Sequence, residues 1–594
     1  MSAERTESSP GGPSAPIEHL RAAWDEMTGP GGGFAMSEIV VRGIPMRVFD
    51  SAPPNMRAVW ELGSMHGDKD YIVYEDERFT YAEVADQVRA LAHLLRDTHG
   101  VGRGDRVALA MRNYPEWIIG YWAIVSVGAA VVGMNAWWTT AEMEYGLSDS
   151  RPKVLIADDE RLERVLPVLD GLRQQAPLPV IAVRTDRELP EDAARWSDVV
   201  DPDTAPAGLP VADIDPDDDV TIFYTSGTTG FPKGAQLTHR GSVHNVLHVI
   251  FWSLVSTMAS ARADAEAGIE SESQENPLDG SAPQLVFMAA TPLFHVTACN
   301  CLLHPCTLAG GRVVLTRKWD PARALELIER EGVNNFSGVP TMARELLSHP
   351  DWETRDTSSV KGLAGGGAPV HPDLVEKIDK SVGGGANTGY GLTETCGIVT
   401  ANSARYFTAK PASCGPVMPT IDAKLVDSNG EDLPPGPDTT GELCVRGPVV
   451  IKGYLNRPDA TAESIPEGWF HTGDIARLDD DGFVYIVDRV KDMVLRGGEN
   501  VYCSEVEAAI YAHQDVAEAA VFGLPDERLG ETVAAVIVRR EGSTLDEAAL
   551  QEYLKGNLAS YKIPSTVWFR DEPLPRNANG KFLKKNLRTE MIEQ

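Results

Sequence analysis

Hydrophobic and polar positions along this chain switch between two periods. Short β-branched runs at residues 107–111, 154–157 and 180–183 read as buried strands. They alternate with helical patterns such as residues 81–95, and the alternation from about residue 39 to residue 488 predicts α/β layers. Residues 221–224 read as a strand feeding a loop, and Thr238 as the N-cap of a helix with Val243, Leu247, Ile250 and Leu254 on one face. The loop is therefore expected to join a strand to a helix. Beyond Asp488 the pattern changes. Ser504 with Glu507 three residues on predicts a capping box, and short strands then alternate with helices to Phe569, as in a small α+β domain.

The ends and one insertion depart from this pattern. Residues 1–36 are rich in Ser, Pro, Gly and Ala and read as a poorly ordered arm, with a short helix over 17–27. Residues 257–283 are acidic and rich in small side chains, so they read as a surface insertion of unassigned role. The expected organisation is an arm at 1–36, a large N-terminal domain at 37–489 and a small C-terminal domain at 490–594.

A chain of 594 residues exceeds one ordinary domain. Its formal net charge of −33 argues against a nucleic-acid surface, and an anionic ligand would need local basic pockets. The sequence presents no apolar run of membrane-spanning length and no signal-peptide order at its start, which makes the cytoplasm the default. The 7 cysteines are thinly spread, so a disulfide framework is not expected. Cys299, Cys301 and Cys306 lie near His295 and His304, but without a Cys-x-x-Cys pair they read as buried thiols rather than zinc ligands. Nothing in the sequence speaks for or against a homodimer.

The densest chemistry lies in Tyr224-Thr225-Ser226-Gly227-Thr228-Thr229-Gly230-Phe231-Pro232-Lys233-Gly234. Small residues let backbone N–H groups close around anionic oxygens, the hydroxyls add donors, and Lys233 adds a point charge. This is a polyphosphate cradle. It is not a Walker A loop, because Phe231 and Pro232 separate the last glycine of the cluster from the lysine.

Four further segments follow in order: Gly366-Gly367-Ala368-Pro369; Tyr390-Gly391-Leu392-Thr393-Glu394; the run from Gly468 to Asp474 with Asp488-Arg489-Val490-Lys491-Asp492; and the loop Pro575-Arg576-Asn577-Ala578-Asn579-Gly580-Lys581. Together with the cradle they resemble the adenylate-forming superfamily of acyl-CoA synthetases, peptide-synthetase adenylation domains and luciferases. The resemblance implies a large multi-layer adenylate-forming domain and a small mobile one. It implies that ATP activates a small carboxylic acid as a mixed anhydride with AMP, and that CoA then takes the acyl group.

Site roles follow from the same resemblance. Thr225, Ser226, Gly227, Thr228, Thr229, Gly230 and Lys233 would hold the β- and γ-phosphates. Glu394 would ligate Mg²⁺, and Thr393 would contact the α-phosphate. Tyr390 would offer a flat face to adenine, with Gly367, Ala368 and Pro369 opposite. Asp474 would accept from the ribose hydroxyls, and Arg489 would donate to ribose and phosphate oxygens. Lys581 would bridge carboxylate and α-phosphate during adenylation. Lys491 would be the hinge, and Gly497, Gly498 and Glu499 would belong to the segment that replaces Lys581 for thioester formation. His295 would stand at the mouth of the acyl pocket.

No acidic partner for a substrate ammonium stands out in residues 336–341 or 363–367, so a hydrophobic monocarboxylate is expected. Ala364, Gly365, Gly366, Val296, Thr297 and Ala298 would leave that site roomy. Competing readings are a ligase that loads a carrier protein, a luciferase-like oxidation, a thioesterification-only enzyme, and an inactive nucleotide-binding regulator.

Overall fold

The computed structural model describes residues 17–225, 231–269, 283–367, 370, 372–382, 385–434, 436–496, 499–576 and 582–593. A seven-stranded sheet runs in the order Lys233–Thr238, Asp219–Thr225, Ala130–Gly133, Arg106–Ala110, Val154–Asp158, Val180–Val183, Ala193–Arg195. Its neighbours are parallel except for the first hairpin. Helices cover parallel strands on both faces, which is why their sequences are continuous apolar runs.

An eight-stranded sheet has a parallel middle and ends in the antiparallel pair Ala386–Leu392 and Gly397–Ser403. A five-stranded antiparallel sheet contains Phe470–Leu478 and Phe483–Arg489, with Asp474 opposite Arg489. Apolar side chains from these three sheets merge into one core around the fully buried Trp60, Trp117 and Trp122. The last five-stranded sheet starts with Val494–Arg496, and its core clusters contain no residue before Val494. The molecule is thus a large α/β domain followed by a small α+β domain with its own core.

Several local expectations change. Half of the expected N-terminal arm is built into the fold. Helix Ile17–Thr28 buries Leu20 and Ala23, and its Trp24 meets Phe251 edge-on at a centroid distance of 4.7 Å. Its apolar residues recur at helical spacing and supply a face to bury. The phosphate loop joins two strands, not a strand and a helix, because Ala235 and Leu237 alternate with polar neighbours and are buried in Lys233–Thr238. Helix His239–Glu266 follows, and Thr238 caps it as expected, accepting from the Gly241 N–H at 3.0 Å.

That helix runs through the first third of the expected insertion, where Ala259 and Ala263 are buried. Residues 270–282 lie outside the described residues. By length and composition the helix could cross a membrane, which amends the reading of the apolar runs, yet Val246, Phe251 and Val255 pack in the core. The capping box at Ser504 does not form. Helix Cys503–Tyr511 starts one residue earlier, Ser504 donates to the Val487 carbonyl, and Glu507 accepts from the Val521 N–H and pairs with Lys584. Tertiary partners outcompete the local cap. All 7 cysteines are free, and Cys299 Sγ lies 3.3 Å from His304 Nε2.

Candidate active site

Three sheets meet at one place. Thr225 ends the strand before the phosphate loop, and its Oγ1 donates to Glu394 Oε1 at 3.3 Å. Glu394 comes from the eight-stranded sheet, in the turn Thr393–Thr395 between its two end strands, and is 9% exposed. Tyr454 Oη donates to the same Oε1 at 3.0 Å. Among the described residues the other carboxylate oxygen of Glu394 accepts no hydrogen bond, so it is available to a hard cation. Thr393 is buried beside it. Lys233 opens the second hairpin strand, and its ammonium lies 5.1 Å from the Tyr454 ring centre. Ser226, Gly227, Thr228, Thr229 and Gly230 lie outside the described residues.

Asp474 and Arg489 come from the third sheet. Asp474, 3% exposed, accepts from Tyr390 Oη at 2.7 Å and faces Arg489 Nε at 3.1 Å. Its backbone N–H donates to Thr472 Oγ1 at 3.1 Å, which holds the strand backbone at this point. Burial, and then the Asp474 charge, push the Tyr390 phenol well above its ordinary pKa, so it remains a donor. Tyr390 therefore holds the Asp474 carboxylate through its hydroxyl. Gly367 has φ +75°, a left-handed backbone suited to glycine, whereas Ala368 and Pro369 lie outside the described residues.

Between the domains, Val490 N–H donates to the Gly473 carbonyl at 2.9 Å, and exposed Lys491 follows. Asp488 accepts from the Arg489 N–H at 2.7 Å and from the Cys503 N–H, bracketing the junction. Burial raises its pKa to about 6. Exposed Glu499 begins the strand Glu499–Val501, whose Val501 is buried, while Gly497, Gly498 and Lys581 lie outside the described residues. His295 caps the short helix Val296–Ala298, its Nδ1 accepting from the Thr297 N–H at 3.3 Å.

Two further residues belong to this constellation and escape motif reading. Tyr454 is brought in by backbone docking: Gln236 N–H donates to the Gly453 carbonyl at 2.9 Å, and Leu455 N–H to the Gly234 carbonyl at 2.8 Å. Its signal was the tyrosine between Gly453 and Leu455, ambiguous without the hairpin beside it. Glu442 accepts from the Gly473 N–H at 2.9 Å and from His471 Nδ1 at 3.0 Å, pinning the turn that presents Asp474. A Glu 48 positions after Glu394 carries no sequence mark of that role.

Comparison with known proteins follows the same lines. The family model described as AMP-binding enzyme matches residues 59–455, and the AMP-binding enzyme C-terminal domain matches residues 505–581. Feruloyl-CoA synthase of an Amycolatopsis species is 36% identical over 510 residues, 86% of this chain and 93% of that protein. Long-chain-fatty-acid–CoA ligase of Bacillus subtilis strain 168 is 31% identical over 546 residues, 89% of this chain and 92% of that protein. Among solved structures, ATP-bound MatB from Rhodopseudomonas palustris matches with a TM-score of 0.76 at 29% identity, over 90% of this chain and 99% of that one.

Proposed function

The chain belongs to the AMP-binding enzyme family as an ATP-dependent acyl-CoA ligase, and we propose that it activates a hydrophobic monocarboxylic acid and completes both half-reactions in the site above. The observation that carries this reading is the convergence of Thr225, Glu394, Tyr390, Asp474 and Arg489 from three sheets.

A carboxylate is a poor electrophile, so ATP must first provide a leaving group. The substrate oxygen attacks the α-phosphorus in line, the bond to the bridging oxygen breaks, and pyrophosphate departs. Positioning and charge neutralisation do most of this work. Asp474 would hold the ribose hydroxyls and exchange its bonds from Tyr390 and Arg489 for bonds from the nucleotide. Glu394 and Thr225 would hold Mg²⁺ near the phosphates, where it neutralises charge. The phosphate loop and Lys233 would cradle the terminal phosphates, with Thr393 at the α-phosphate and Lys581 bridging it to the carboxylate.

In the second step the CoA thiolate attacks the acyl carbonyl, a C–S bond forms, and AMP leaves with the electron pair of the broken C–O bond. A turn about Lys491 would bring Gly497, Gly498 and Glu499 into the place of Lys581. The names of the relatives divide between feruloyl and long-chain fatty acyl groups, both hydrophobic. His295 and the small residues after it support an open acyl site. The free cysteines support a reducing, cytoplasmic setting.

An acid-panel assay tests this reading, with pyrophosphate and thioester followed separately by mass spectrometry. Expected is CoA thioester from at least one aryl or alkyl monocarboxylate. Transfer to a carrier protein alone, or oxygen-dependent decay of the adenylate, would overturn it.

A further inference from the structure

The five-stranded sheet that carries Asp474 holds a second cluster of ligating side chains, on Gly441–Arg446 and Phe470–Leu478. Cys444 stands opposite His471 across this antiparallel pair, and Glu442 lies two residues before Cys444. Side chains two apart share one face of a strand. The thiol, the imidazole and the carboxylate each bring one ligand atom to within 4.8 Å of the other two. Glu442 pairs with Ile475 and Cys444 with His471, so a step of two residues on one strand is matched by a step of four on the other. The surplus makes a bulge at Thr472, Gly473 and Asp474, with Gly473 at φ +71°. The cluster therefore lies at the base of the bulge that presents Asp474.

Its three members differ in how far their bonding is satisfied. Glu442 accepts on both oxygens, at Oε1 from the Gly473 N–H at 2.9 Å and at Oε2 from His471 Nδ1 at 3.0 Å. Cys444 is fully buried, and among the described residues its Sγ has no hydrogen-bond partner. A buried soft ligand atom is thus held beside an imidazole and a carboxylate. Lys424 stands opposite Cys444 on the other neighbouring strand, but its ammonium pairs with Asp432 at 2.6 Å and lies 4.7 Å from the Trp469 ring centre. It is drawn away from the cluster. The Glu442 and His471 side chains are 21% and 29% exposed, which leaves a path from solvent. Burial, and then the Glu442 charge, push the Cys444 thiol up to about 12, so only a cation with high affinity for thiolate displaces its proton.

We propose that Glu442, Cys444 and His471 form a binding site for a zinc-class divalent cation, with water in the fourth position. Sulfur and imidazole donors select Zn²⁺ over Mg²⁺, which takes oxygen ligands in an octahedron. The cation replaces the thiol proton, which leaves to solvent. Ordinary zinc bond lengths set neighbouring ligand atoms of a tetrahedron about 3.5 Å apart, so the cluster contracts by up to about 1 Å on binding. Cys444 is buried on the middle one of three strands, so the partly exposed Glu442 moves toward it and away from the Gly473 N–H. That loosens the turn behind Asp474. Zinc occupancy then lowers the affinity for ATP, and ATP lowers the affinity for zinc by the same factor.

The metal site stands apart from the ligase reading, whereas its coupling to ATP rests on Asp474 as the ribose acceptor, and the test separates the two. Metal-free full-length protein is titrated with Co²⁺ and then Zn²⁺, followed by absorbance and calorimetry. Expected is one Co²⁺ per chain with a sulfur-to-cobalt charge-transfer band, displaced by Zn²⁺ with a Kd on the order of 1 μM or below. Cys444→Ala should abolish the band, and His471→Gln, which keeps a donor for Glu442, should weaken zinc about tenfold or more. Saturating zinc, set by a metal buffer, should raise the KM for ATP about fivefold in the wild type and leave it unmoved in Cys444→Ala. Melting curves check both folds, and His471→Gln decides the site alone if Cys444→Ala does not fold. An absent band, a band that survives Cys444→Ala, or unchanged zinc affinity in His471→Gln would overturn the site. Saturating zinc that leaves the wild-type KM for ATP unchanged would overturn the coupling. A wild-type KM for ATP in Asp474→Asn would overturn the ribose assignment and leave the metal site standing.

Discussion

At the floor of the nucleotide site the two carboxylates already have donors. Tyr390 and Arg489 hold Asp474, and Tyr454 and Thr225 hold Glu394. At the rim, among the described residues, the Arg112 guanidinium pairs with no carboxylate and lies over the partly exposed Trp137 ring. The floor must present fixed charges to a transition state, so its groups are aimed in advance. At the rim the Trp137 loop is held in place while its indole stays open to solvent. Variants at the floor should therefore damage one chemical step, and variants at the rim should spare it.

The sharpest break is Lys581→Ala. It is expected to lower pyrophosphate exchange about 10³-fold, while thioester formation from supplied acyl-AMP changes about threefold at most. Equal loss in both assays would erase the division of labour. Glu394→Gln keeps the shape that Tyr454 and Thr225 grip but removes the charge. Adenylation should fall about 10²-fold, and ATP binding by calorimetry should need more Mg²⁺. A variant with wild-type Mg²⁺ dependence would remove Glu394 as the metal ligand. Asp474→Asn should raise the KM for ATP about tenfold and leave that for CoA alone, since hydrogen bonds to a charged acceptor are the stronger ones. A matching rise in the CoA KM would dissolve the assignment of Asp474 to ATP.

The smallest effect belongs to the frame beneath the site. Burial lowers the pKa of His239 to about 3, His244 to about 4 and His304 to about 3, from 6.5. The unfolded chain binds these protons first as pH falls, so their contribution is complete above 6.5 and is lost on the way down to about 4 for His244 and about 3 for His239 and His304. Each steepens the loss by up to about 1.4 kcal/mol per pH unit. Asp488 opposes them: its folded pKa of about 6 lies above 3.8, so the native state gains from protonation in that window. Three histidines outweigh one carboxyl, and the melting temperature should drop between pH 7 and pH 5. A flat profile would contradict the burial of these imidazoles as neutral groups.

Much of this arrangement was legible in the chain. Apolar runs located the parallel strands because both their faces are covered, and the motif order located Glu394, Asp474 and Arg489. The second hairpin strand was missed because Gly234-Ala235-Gln236-Leu237 is too short and too poor in β-branched residues to announce itself. Ser504 and Glu507 matched a cap, but partners in Val487, Val521 and Lys584 claimed both side chains. Tyr454 and Glu442 act through backbone docking and one N–H, contacts between segments that are distant in sequence. Trp137 and Arg112 became visible as a pair once neighbouring strand ends lay side by side.

The central claim is that one chain performs both half-reactions. It is tested most directly on the wild-type protein by pairing pyrophosphate exchange driven by the free acid with thioester formation from preformed acyl-AMP. The account predicts that both run for the same acid. Efficient thioester formation with no exchange for any acid in the panel would contradict it, and would make the protein the consumer of an adenylate built elsewhere.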